Sequence, residues 1–306
     1  MITLSQAGRL LLRNPVLVKE VRTRMRGGRT FIVLTIHLLA LAGALAAAYL
    51  LFRASLTTGV NLEARRLFGK AVFGLMIWME LITISFIAPA LTSGAIASER
   101  ERQTLDLLRV TLLSSRALVL GKYLSGLVFI FLLVLSSLPL QTLPFVIGGV
   151  LAQEILVAVL ILAVTAVAFC AAGIFFSSLF SRVLLSTVLA YAFAIFVVFG
   201  IPMILLLVLL VLGAGLGGAI DSISLRTQMM LIFIGWLAVS MTPGATIVAT
   251  EVALLDQQGL LLARLHLGNG SEVAFPSPWI FYVVFYLLVS IGMLWFSAKR
   301  VSRIAM

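Results

Sequence analysis

The chain has 306 residues, 62% of them hydrophobic and 11% charged, with a formal net charge of +11 and a mean hydropathy of +1.20. That balance excludes an ordinary soluble domain. The basic excess does not point to nucleic acid, because Lys and Arg gather at the ends of apolar runs, as the positive-inside rule predicts for a membrane protein.

The first thirty residues predict a helix lying on the membrane surface. Asn14 suits the N-cap and Pro15 the first helical position, and Gly27-Gly28 is a stop. Leu17, Val21 and Met25 recur every fourth residue, while Lys19, Arg22, Arg24 and Arg26 occupy the other faces. Asn14, Pro15, Lys19, Glu20 and Arg22 mark this helix, and its basic face suits an anionic headgroup region. The competing reading is a solvated basic flank. Seven cations precede the first apolar run (Arg9, Arg13, Lys19, Arg22, Arg24, Arg26, Arg29), which puts the N-terminus in the cytoplasm. A cleaved secretory leader is not expected, because the basic stretch is too long for one and the run after it can span.

Six runs exceed the roughly 18 to 20 residues that cross about 30 Å of hydrocarbon. They are Phe31 to Phe52, Ala71 to Ala97, Leu118 to Pro139, Ile155 to Ser178, Val183 to Leu212 and Trp279 to Ala298. The alternation of a barrel is absent, so helices must satisfy the backbone in lipid. The fold class is therefore all-α integral membrane, a single transmembrane domain over residues 1–306. Cys170 lies inside a run and reads as a small core residue. The cations Arg53, Arg65, Arg66 and Lys70 fall on the predicted outer side, against the positive-inside pattern.

Between the second and third runs lies Ser98 to Lys122, SERERQTLDLLRVTLLSSRALVLGK, with eight ionisable residues. So much charge between two membrane runs implies a loop that works against something outside the lipid. Ser98 and Glu101 have the spacing of a capping box, which predicts a helix from Glu99. Leu105 and Leu108 then share a face, and Ser114-Ser115 marks a second helix start.

A weaker apolar run, Met229 to Thr250, contains Met241-Thr242-Pro243-Gly244, where a hairpin could turn. We read residues 214–276 as a re-entrant and extracellular segment, giving six spans and a cytoplasmic C-terminus. Irregular backbone at that depth needs cover, expected here from a neighbouring protomer. Glu251, Asp256 and Glu272 against Arg264 suit the outer side. Pro89, Pro139, Pro144 and Pro202 predict kinks.

Catalytic constellations are absent from the sequence. His37 and His266 are far apart, no HExxH or GxSxG occurs, and Gly69-Lys70 and Gly121-Lys122 lack the earlier glycine of a phosphate loop. No cofactor or metal is expected in this chain. Glu80 is the one carboxylate deep inside a run; it reads either as a substrate or proton site, or as a helix-to-helix hydrogen bond to Thr83 or to a partner span.

Three blocks resemble the type-2 permease family of ATP-binding-cassette (ABC) exporters: NPVLVKEVRTRMRGGRTF, the Ser98 to Lys122 segment, and GIFFSSLFSRVLLSTVLAY. Gln103 stands where the family commonly has Gly, and Leu112 where proline is usual. The resemblance implies a permease that pairs with a second permease copy and with a nucleotide-binding ATPase subunit, which holds the ATP and Mg. It also implies a plasma-membrane location. By the same resemblance Glu99, Arg100, Glu101, Arg102, Thr104, Leu105 and Leu108 lie in or beside a coupling helix within a cytoplasmic coupling loop over residues 98–117. An apolar or amphipathic cargo fits the composition. The rival readings are an ion- or proton-coupled secondary carrier and a membrane scaffold for a cytoplasmic partner.

Overall fold

The computed structural model describes residues 15–56, 62–104, 115–216, 225–255, 261–266 and 272–303. Asn14, Leu105, Leu108, Leu112, Ser114 and Asp256 lie outside the described residues. The helices are α1 (Pro15–Met25), α2 (Gly28–Leu56), α3 (Leu62–Thr92), α4 (Ala97–Glu101), α5 (Ser115–Ile147), α6 (Ala152–Leu179), α7 (Val183–Ile195), α8 (Ile201–Leu216), α9 (Leu225–Ser240), α10 (Pro243–Leu255) and α11 (Pro278–Arg303). Among the described residues six stretches are long and apolar enough to cross a membrane: Thr30–Leu51, Glu63–Glu101, Ser115–Ile147, Ala152–Leu179, Val183–Val208 and Pro278–Arg303. The chain is an all-α multi-pass membrane protein, as its composition dictates.

Helix α6 is the axis of the bundle, packed by α3, α5, α7, α10 and α11. Its sequence explains that position. Apolar residues surround it on all sides, so no face is reserved for water, and Ala166, Ala168, Ala171 and Ala172 are all buried along it. Small residues let neighbouring helices come close. Two-thirds of the apolar window of α6 is buried, against 11% for α2, whose Phe31, Ile36 and Leu39 point outward. Phe73, Ile84, Ile130, Ile161, Phe169 and Tyr282 fill the interior around α6.

The run Met229 to Thr250 is a broken element. Met229–Ser240 and Pro243–Ala253 meet at 116°. Trp236, four residues before the end of the first arm, hydrogen-bonds the Pro276 carbonyl at 3.0 Å, while Glu251 near the end of the second arm lines the same small cavity as Glu154 at the start of α6. At the break itself the chain supplies cover of its own. The Tyr286 hydroxyl donates to the Met241 carbonyl at 2.7 Å, and the Thr246 hydroxyl to the Val239 carbonyl at 2.9 Å. Trp78 of α3 lies against Gly244 so closely that any Cβ there would collide with the indole.

Two local features differ from the sequence reading. Residues Leu262–His266 (β1) and Glu272–Pro276 (β2) form an antiparallel hairpin within the segment read as extracellular loop. The fifth span contains a π-helical turn, Phe196–Gly200, just before Pro202. A proline has no amide hydrogen to donate, and the widened turn absorbs the mismatch that a bare kink was expected to take. Pro89, Pro139 and Pro144 sit inside continuous helices.

Candidate functional site

The residues flagged around Ser98 lie at the end of the bundle where α1, α3, α5, α6, α7 and α11 come together. Helix α4 begins at Ala97 rather than Glu99, and no side chain of its own caps it. Instead Ser177 of α6 accepts the amides of Ile96 (2.8 Å) and Ala97 (2.9 Å). A rigid neighbouring helix holds this hydroxyl in place, so it satisfies the first amides and displaces the Ser98–Glu101 box. At the other end the amide of Gln103 bonds the Arg100 carbonyl (3.1 Å) and that of Thr104 the Glu99 carbonyl (2.9 Å). This is a Schellman closure, and it requires a left-handed residue at Gln103, whose φ is 57°. A glycine would enter this left-handed conformation more readily than the Gln103 that stands there.

Each charged residue of α4 has a different outlook. Glu99 receives the Lys122 ammonium at 3.2 Å and the Thr104 hydroxyl at 2.5 Å. Arg100 donates to the Ser178 carbonyl at 3.2 Å. Glu101 accepts the Val183 amide at 3.3 Å, at the positive start of α7. Arg102 and Gln103 are exposed. Just before α4, Ser186 donates to the Ser93 carbonyl at 2.6 Å and the Thr187 and Ser93 hydroxyls meet at 2.9 Å. Two stretches far apart in sequence, the charged segment and the α6–α7 return, therefore form one joint.

Lys122, which the sequence reading counted only as a flanking cation, is the centre of that joint. It is buried in the first turns of α5 and binds Glu99 on one side and Glu20 of α1 at 3.3 Å on the other. The inward stripe of α1 is Leu17, Glu20, Val21 and Arg24, while Lys19, Arg22, Met25 and Arg26 are exposed. Met25 therefore does not complete an apolar stripe. The helix docks by charge as much as by grease: Arg24 donates to the Leu91 carbonyl at 3.0 Å and approaches Glu20 at 3.8 Å. A lysine one turn into an apolar run, after Gly121, was the available signal for this role.

Glu80 is fully buried on α3. Ser137 donates to it at 2.6 Å and the Gln141 side-chain amide also bonds it, both from α5. Thr83 turns back to the Met79 carbonyl instead (2.8 Å). The carboxyl bridges two spans, and Ser137 and Gln141, four apart on one helical face, are the partners the sequence reading left unnamed.

At the opposite end Lys70 binds Glu154 at 3.1 Å, and the second Glu154 oxygen accepts the Leu151 amide at 3.1 Å. Lys70 is thus not a stray outer cation but half of a buried pair. Among the described residues no cluster of His, Cys, Asp and Glu could hold a metal.

Residues 15–233, from the first residue of α1 into α9, match the family described as ABC-2 family transporter protein. The chain belongs to that family. No curated protein matches it. As an ABC-2 family member the chain is a membrane permease subunit of an ABC transporter, not itself catalytic, and an ATPase partner follows from the family. The match covers both blocks that build the joint around Lys122.

Proposed function

We propose that this ABC-2 permease is an export subunit whose α4 joint couples a separate nucleotide-binding subunit to the spans. The ATPase holds ATP and Mg, and a second permease copy completes the transporter. The α4 end lies in the cytoplasm of the cell, together with both termini, and the cargo is an apolar or amphipathic molecule. The observation that carries the reading is the position of Lys122, which joins Glu20 of α1, Glu99 of α4 and the start of α5 in one contact. A push on α4 would reach α5 through Lys122, α6 through Ser177 and α7 through Glu101 without passing through a flexible loop. Rigid elements with short connections are what force transmission between sites needs.

Because Glu99 and Arg100 face their own chain, the docking face is the exposed side of α4, carried by Glu101, Arg102 and Gln103, with Leu105 and Leu108 as buried anchors in the partner groove. The test is the complex with its native ATPase in lipid nanodiscs, assayed for cargo-stimulated hydrolysis. Arg102→Glu is expected to abolish stimulation or assembly. Normal stimulation in both Arg102→Glu and Lys122→Met would overturn the coupling role. A cysteine at Gln103 labelled from the external face would overturn the topology.

A further inference from the structure

Where α1 meets the bundle, a slot of about 440 Å³ opens between α1, α2, α3 and α5. Val33, Phe86, Ile87, Ala90, Leu91 and Phe129 form its walls, and Arg24 is its one charged group. Its volume lies within the range of small-molecule sites. Away from Arg24 water is a poor occupant, because an ordered water needs two to four polar partners. The two hydroxyls in the wall give their hydrogens to backbone, Thr23 to the Lys19 carbonyl at 2.8 Å and Thr30 to the Arg24 carbonyl at 2.7 Å, and they lie with Arg24 at one end of the slot. An empty slot would leave six apolar side chains without dispersion contacts on one side. Phe86 lines it and is half exposed, so the slot reaches the lipid-facing surface. A guanidinium has five donors, and Arg24 spends one on the Leu91 carbonyl and stands 3.8 Å from Glu20. Lys19 and Arg22 on the same helix, and Arg26 just after it, add exposed positive charge.

We propose that this slot binds one acyl chain of an anionic phospholipid from the leaflet at the α4 end, with the net negative charge of its headgroup, uncompensated by a choline, held against Arg24. The lipid would pack α1 onto the spans at the point where α1 also holds Lys122. To test this, the full chain in detergent is offered phosphatidylglycerol and phosphatidylcholine of equal chain length, and the retained lipid is counted by native mass spectrometry. Phosphatidylglycerol is expected to be retained about fivefold over phosphatidylcholine, the factor for one cation near an anionic lipid. Arg24→Gln should bring the ratio close to parity. Ala90→Trp and Val33→Trp, which fill the slot from different helices, should remove the retained lipid. Lipid-free melting curves check that each variant folds, and Val33→Trp and Arg24→Gln decide the matter should Ala90→Trp fail to fold. Equal retention of the two lipids by the wild type overturns the proposal, as does unchanged phosphatidylglycerol retention in a folded tryptophan variant.

Discussion

The two ends of the bundle solve the same problem differently. At one end Lys70 and Glu154 form a closed pair, with side chains 15% and 1% exposed, and the carboxylate also caps the start of α6. At the other Lys122 stands between two carboxylates that are each more than a quarter exposed. The first arrangement pins two spans to each other. The second ties two short helices, α1 and α4, onto a span and leaves their outer faces open. A buried pair resists change because breaking it strands a charge in a poor solvent. At the Lys122 hub water can take over the two carboxylates, while the ammonium itself stays buried, its side chain 7% exposed.

The contrast can be broken most sharply at the closed pair. Glu154→Ala strands the Lys70 ammonium and uncaps α6, and should cost about 3 to 5 kcal/mol, read as a lowered melting temperature in detergent. Lys122→Met is expected to cost about 2 kcal/mol, typical of lost charge-assisted hydrogen bonds, and to loosen α1 selectively in hydrogen exchange. A cost equal to that of Glu154→Ala would erase the distinction between the two ends. Gln103→Gly should stabilise by about 1 kcal/mol, since glycine enters the left-handed region without the Cβ penalty; a loss of stability would mean that the Gln103 side chain contributes contacts of its own. Smallest of all, Glu20→Gln should cost about 0.5 kcal/mol, and its effect should fade at high salt. The Glu154→Ala penalty should persist at the same salt concentration.

The spans were legible because membrane insertion depends on local composition. The Phe31 to Phe52 and Trp279 to Ala298 runs fall within helices, and the break at Met241 to Gly244 lies where Pro243 and Gly244 announce it. The β1–β2 hairpin was not legible, since Leu262–His266 is short and lacks clean alternation. The cap on α4 was misplaced for a similar reason. Ser98 has the right spacing, but Ser177 has the right position, and 80 residues separate Ser177 from the Ala97 amide it accepts.

By itself the sequence determined that this chain lives in a membrane, how many times it can cross, and where its charge collects. Each of these depends on transfer free energies summed over neighbouring residues, which composition records directly. Only the tertiary structure decided which charges meet. Glu20 and Lys122 are 102 positions apart, and Lys70 and Glu154 are 84 apart. Their pairing follows from how α1 and α3 pack against α5 and α6, and electrostatic contact depends on distance in space, which no local pattern encodes.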